Sequence, residues 1–300
     1  MKNGENKKAI AAKGGIEAVV KAMGKFLSSE GVQQQGCGVL LNLAATAENR
    51  VAIAKKGGIK AVVGAMGAHG SSAGVQEQGC WALSNLAANE KNRVAIAAKG
   101  GVKALLMAMG NHSSSAGVQE AGCGALKALA ANEENRVAIS AQGGVEAVIS
   151  AMGNQSSSAG VQERGCGALK ALAVNVKTRV AIAAKGGIEA VVVAMGAHVS
   201  RVGVQEAGCG ALLNLAVNTE NREEIAAEGG IDAVVLAMVT HESSAGVQEA
   251  GCGALLNVAN AENRVAIAAK GGIKAVLKAM ETHGSRAGVQ ERGCGVNPKP

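Results

Sequence analysis

Seven cysteines, at positions 37, 80, 123, 166, 209, 252 and 294, are the residues of this chain best able to do chemistry. An ionised thiol can ligate a metal, attack an electrophile or exchange into a disulfide. Five histidines, His69, His112, His198, His241 and His283, add further potential ligands and acid–base groups. The spacing argues against all of these uses. The cysteines follow one another at intervals of 43, 43, 43, 43, 43 and 42 residues, so each stands alone on one rung of a repeated unit. Packed helices lie about 8–10 Å apart, beyond the roughly 4.4–6.8 Å between α-carbons that a disulfide spans. One histidine per rung cannot bring several nitrogens within ~2.0–2.3 Å of one ion without distorting its loop. The cysteines therefore read as small apolar core residues. The histidines read as surface-loop residues after a second helical segment, with Phe26 and Gln155 in the same slot of two other copies. No metal and no cofactor is expected.

Other ladders run with the same period. Glutamines 33, 76, 119, 162, 205, 248 and 290 sit at the edge of an apolar arc and are predicted to bond backbone groups at repeat junctions. Arg50, Arg93, Arg136, Arg179, Arg222 and Arg264 are predicted to pair with nearby carboxylates such as Glu48 and Glu262. A catalytic site would interrupt the periodicity with a distinctive cluster, and none does. The glycines lack the following Lys-Ser/Thr of a phosphate loop. The expectation is a protein that is not an enzyme.

The elements that carry these ladders can be read from one copy, Asn49 to Ala88. A short apolar segment, Asn49 to Lys56, runs into Gly57-Gly58, a helix stop and corner. Ile59, Val62, Val63 and Met66 follow at i, i+3, i+4 and i+7, one apolar helical face. Gly67 and the run Gly70-Ser71-Ser72-Ala73-Gly74 read as a loop. A third, longer helix extends from near Val75 to Ala88. Its wheel puts Val75, Gly79, Cys80, Ala82, Leu83 and Leu86 on one arc, and Glu77, Gln78, Trp81 and Asn85 on another.

Val75 to Ala87, VQEQGCWALSNLA, resembles the third helix of armadillo repeats, and Asn49 to Val63 resembles their first helix, glycine corner and second helix. The resemblance covers essentially the whole chain. It implies an all-α, right-handed superhelical solenoid of three-helix repeats, one array over residues 1–300 with repeats at about 6–48, 49–91, 92–134, 135–177, 178–220, 221–262 and 263–297. It also implies a protein-binding scaffold whose concave face, made by the third helices, holds an extended peptide. In that family an Asn of the third helix bonds the peptide backbone and a Trp four residues earlier flanks a side-chain pocket. Carried over position by position, the amide is kept at Asn42, Asn85, Asn214 and Asn257 and lost at Ala128 and Ala171. Trp81 is replaced by glycine at 38, 124, 167, 210 and 253, so an aromatic, acidic groove of the nuclear-import type is mostly missing. The candidate groove comprises Asn42, Gln78, Trp81, Asn85, Lys127, Arg164, Lys170, Asn214 and Asn257.

Composition sets further bounds. The chain carries 30 Lys and Arg against 23 Asp and Glu, a formal charge of +7 that alone does not establish a polyanion partner. A single-stranded nucleic-acid reader is the rival reading, since helical repeats can splay and stack bases. One Trp, one Phe and no Tyr disfavour it. No run reaches the ~18 apolar residues of a membrane span, and the start lacks a secretory apolar stretch. Free thiols suit a reducing compartment, so a cytoplasmic or nuclear place is expected. Drift such as NVKTR at 175–179 and HVSRVG at 198–203 resembles natural duplication, with an idealised array lacking a native ligand as the alternative. The last repeat is short of residues matching Leu83 and Leu86, which predicts self-association through its uncovered apolar face.

Overall fold

The computed structural model describes residues 2–296, which form 21 helices and no strand among the described residues. The helices fall into triplets: α1 (Lys2–Ala12), α2 (Gly15–Lys25), α3 (Glu30–Leu43); α4 (Ala47–Lys55), α5 (Gly58–Ala68), α6 (Ala73–Leu86); α7 (Glu90–Ala98), α8 (Gly101–Asn111), α9 (Ala116–Leu129). They continue with α10 (Glu133–Ala141), α11 (Gly144–Asn154), α12 (Ala159–Leu172); α13 (Val176–Ala184), α14 (Gly187–Ala197), α15 (Val202–Leu215); α16 (Thr219–Ala227), α17 (Gly230–Thr240), α18 (Ala245–Val258); α19 (Ala261–Ala269), α20 (Gly272–Thr282) and α21 (Ala287–Val296). The chain divides after Ala147 into two compact units. Within each unit like helices stack on like, the third helices most extensively: α3 on α6 on α9 in one, and α12 on α15 on α18 on α21 in the other.

The helix boundaries are set by caps. Each corner between first and second helices turns on a glycine of positive φ, such as Gly57 at 83°, where a side chain would be strained. The third helix starts two residues earlier than the apolar pattern suggests. Ser72 Oγ accepts from Val75 N, so Ala73 and Gly74 are helical and the expected loop is shorter. The first helix likewise starts at Ala47 or Glu90 rather than at the Asn of the NR pair, because the residue before it is the cap: Asn89 Oδ1 accepts from Asn92 N.

Within each unit the core is a stack of similar layers. Cys37, Cys80, Cys123, Cys166, Cys209 and Cys252 are wholly buried among Leu, Val, Ile and Met. Cys294 is exposed, as is half of Leu277 in the same triplet. Gly79 lets the second helix close on the third: a Cβ there would fall 2.6 Å from Met66 Cγ. The same Gly–Met contact recurs in every triplet, for instance Gly122 with Met109 and Gly208 with Met195.

Four polar ladders bind this stack, and three of them correct the sequence expectations. The glutamines bond backbone groups, but within a repeat rather than between repeats. Gln119 Nε2 donates to Met109 O at 2.7 Å and His112 O at 2.9 Å, closing the last carbonyls of α8. Arg50, Arg136, Arg179 and Arg222 bond backbone carbonyls rather than carboxylates. Arg50 Nε donates to Ala44 O at 2.8 Å and Arg222 Nε to Ala216 O at 2.9 Å, so they close the C-terminal carbonyls of the preceding third helix. A helix end with orphaned carbonyls is the stronger local acceptor, and Glu48 is already paired with Lys8 at 2.8 Å. The histidines are more than loop decoration: His69 Nε2 donates to Leu27 O at 2.8 Å, His112 Nε2 to Gly70 O at 2.8 Å and His241 Nε2 to Val199 O at 2.7 Å. Each histidine is a strut to the previous rung. A further ladder went unnoticed in the sequence: buried Asn92 donates to Arg50 O and Leu86 O, tying a first helix to two neighbours.

Candidate third-helix groove

The outer face of the third helices carries the candidate groove, and each unit holds its own part. In the first unit Gln78, Trp81 and Asn85 share one half-buried face of α6, while Asn42 on α3 and Lys127 on α9 are exposed. Asn85 Nδ2 donates to Leu41 O at 3.2 Å. Leu41 O is one of the last carbonyls of α3, which have no intrahelical partner. Gln78 reaches back over α3, its Oε1 3.2 Å from where a Cβ on Gly38 would stand.

The second unit repeats this geometry with other side chains. Asn214 Nδ2 donates to Lys170 O at 2.9 Å and Asn257 Nδ2 to Leu213 O at 2.9 Å. Asn85, Asn214 and Asn257 therefore each spend one N–H on the preceding helix and keep Oδ1 and a second N–H, since an amide has two donors and an acceptor. Arg164 stands half-buried on α12, and Lys170, near the end of that helix, is exposed.

Glycine at the tryptophan position has a definite consequence. A Cβ on Gly210 would lie 2.8 Å from Lys170 Nζ, and one on Gly253 would lie 2.5 Å from Arg292 Nη1. Long side chains from neighbouring helices thus lie across the notches that glycine leaves. Between them opens a hollow of about 270 Å³ lined by Lys170, Glu206, Gly210, Asn214, Glu249 and Arg292. Of the nine residues read from the sequence, this hollow brings together Lys170 and Asn214. Arg164 and Asn257 do not line it.

Arg292, Glu206 and Glu249 were missed as site residues. Their signal was present: Arg292 breaks a run of alanines at 207 and 250, and the glutamates recur at every rung from 77 onward. The glutamates have a structural task as well. A Cβ on Gly288, the second residue of α21, would fall 2.6 Å from Glu249 Oε2, and Gly246 of α18 meets Glu206 in the same way. Each carboxylate rests on the first turn of the next third helix, where the helix dipole favours negative charge. Arg292 Nη2 also pairs with Glu249 Oε1 at 3.4 Å. Lys170 has no acidic partner among the described residues, which leaves it the available cation of the hollow.

The thiols contribute nothing reactive here. Burial pushes Cys209 up to about 12 and Cys252 to about 11. Among the described residues no group of three or more His, Cys, Asp or Glu side chains could hold a metal ion.

Comparison with known proteins agrees with this architecture. The family model described as LRRK2 ARM repeat matches residues 47–186. The crystal structure of an engineered protein from a structural genomics consortium superposes with a TM-score of 0.71 at 26% identity, covering 81% of this chain and 96% of that one. A structure from work on a phosphorylation switch controlling the interaction between cadherin and beta-catenin superposes with a TM-score of 0.52 at 19% identity, covering 94% of this chain and 60% of that one. No curated protein matches in sequence.

Proposed function

Because the chain is an armadillo-like helical repeat protein, we propose that it is a non-enzymatic scaffold holding an extended protein segment along the third-helix face. The observation that supports this reading is the hollow between α12, α15, α18 and α21. It pairs an available cation, Lys170, with an amide, Asn214, that still offers a donor and an acceptor. A backbone peptide unit would take the amide without regard to sequence. An acidic side chain would take Lys170. The glutamates are held at helix N-termini, so they repel such a segment less than free carboxylates would. The fold shared with the structure from the cadherin and beta-catenin work is in keeping with a protein partner. Among the described residues no single helix is long and apolar enough to cross a membrane, and the buried thiols suit a reducing cytoplasmic or nuclear setting.

Panning a displayed random peptide library against the full chain tests the proposal. Recovered peptides should be rich in Asp and Glu and should bind Lys170→Glu roughly tenfold more weakly. Peptides that bind Lys170→Glu and Asn214→Ala as well as the parent, with all proteins equally helical, would place recognition elsewhere. A generic single-stranded oligonucleotide is the control for the rival reading. Saturable binding that falls steeply with salt would support nucleic acid instead.

A further inference from the structure

The second helices carry a recurring feature on another surface. Where one second helix packs on the next, a narrow crevice opens: about 320 Å³ between α2 and α5, 320 Å³ between α11 and α14, and 240 Å³ between α17 and α20. In the first, Val20, Met23 and Leu27 face Ala61 and Gly64, with Lys60 at the rim. In the last, Val235, Met238 and Val239 face Ala275 and Ala279, with Lys274 at the rim. The slots exist because Gly and Ala stand on one wall: a Cβ on Gly64 would meet nothing within 4 Å.

One lining position changes sign between the slots. It is the third residue of the following second helix: Lys60 in α5, Glu189 in α14 and Lys274 in α20. Lys60 is the one charged residue lining its crevice. At the α17/α20 crevice Lys270 is tied to Asp232 and Lys278 to Glu281, and Glu242 stands at the mouth. Neither Lys60 nor Lys274 has a partner among the described residues. Apolar surface is also left open at the first slot, where Leu27 is 60% exposed. Its volume lies at the low end of ligand pockets, ~300–1,000 Å³. That is room for one flexible chain and not for a folded partner.

We infer that the α2/α5 and α17/α20 crevices each bind a single-tailed anionic amphiphile of the fatty-acid type. The tail lies in the slot and the carboxylate sits on Lys60 or Lys274. The α11/α14 crevice, walled by Ile149, Met152, Ala190 and Val193, carries Glu189 beside Lys185 instead of an unpaired lysine, and serves as the comparison within the same molecule.

The test is calorimetric titration of the full chain with decanoate below its micelle concentration, with decyltrimethylammonium as the charge-reversed probe. Two saturable sites are expected for decanoate. Lys60→Glu and Lys274→Glu should each remove one, weakening it roughly tenfold or more. The double variant should retain neither, and Glu189→Lys should create a third. Gly64→Leu fills the first slot without touching its charge and should abolish that site alone. Shortening the tail should weaken binding roughly fourfold per methylene. Non-saturable uptake, equal binding of the cationic probe, or two sites surviving in the Lys60→Glu/Lys274→Glu double variant would overturn the inference.

Discussion

A cysteine at every rung looks like chemistry and behaves as packing, and the consequence appears at high pH. Burial raises Cys37, Cys123 and Cys209 to about 12 and Cys252 to about 11. An unfolded thiol ionises near ~8.5. Because the folded values are raised, the folded state binds more protons in this window. The stability these thiols confer is complete below about pH 8.5 and is lost as pH rises toward 11–12, by on the order of 1 kcal/mol per pH unit for each thiol. Urea denaturation between pH 8 and 11 should show that decline, and Cys123→Ala should make it shallower. Cys123→Ser should cost roughly 1–3 kcal/mol, since a buried hydroxyl without a partner is expensive, and Cys123→Ala less. Equal midpoints for Cys123→Ser and the parent would contradict the buried ladder. At this scale the sequence was legible for apolar positions, because burial follows periodicity. It was poorly legible for Arg, His and Asn. Their partners are backbone carbonyls such as Ala44 O and Gly70 O, and a carbonyl leaves no mark in the side-chain code.

At the scale of the helix, glycine is the residue whose meaning only the structure supplies. Gly79 and Gly67 lie in neighbouring helices of one repeat, and both lower helix propensity by ~1 kcal/mol against Ala. Gly79 faces Met66 Cγ at 2.6 Å from its would-be Cβ, whereas Gly67 faces nothing within 4 Å. Gly67→Ala should therefore stabilise by about 0.5–1 kcal/mol, and Gly79→Ala should destabilise by about 1–3 kcal/mol through overpacking. Thermal melts of the two single variants decide this. Stabilisation by both would mean that Met66 yields freely and that the close contact is not needed. The sequence reading put Gly79 on the apolar arc but could not say which glycines admit a neighbouring helix. It also missed that glycines 210 and 253 admit Lys170 and Arg292 to the groove. A periodic glycine shows a small position without showing what fills the space.

For the molecule as a chain of rungs, stability is expected to be a sum of repeat terms and nearest-neighbour terms, and the histidine struts are one such neighbour term. His112 caps α8 and reaches back to Gly70 O, 42 residues earlier. His69, His241 and His283 make the same contact across other junctions. Each tie spans close to one period, so architecture was the most legible level and the ties the least. His112→Ala should remove one junction's strut at a cost of about 1 kcal/mol and leave distant junctions untouched. His112→Gln should be milder, within about 0.5 kcal/mol, since Gln155 already holds this slot in another rung. Hydrogen exchange resolved by helix reads the difference. In His112→Ala, protection should fall around the ends of α5 and α8 while α17 and α20 keep theirs. A uniform loss over all helices would mean that the repeats unfold as one cooperative body rather than through their nearest neighbours.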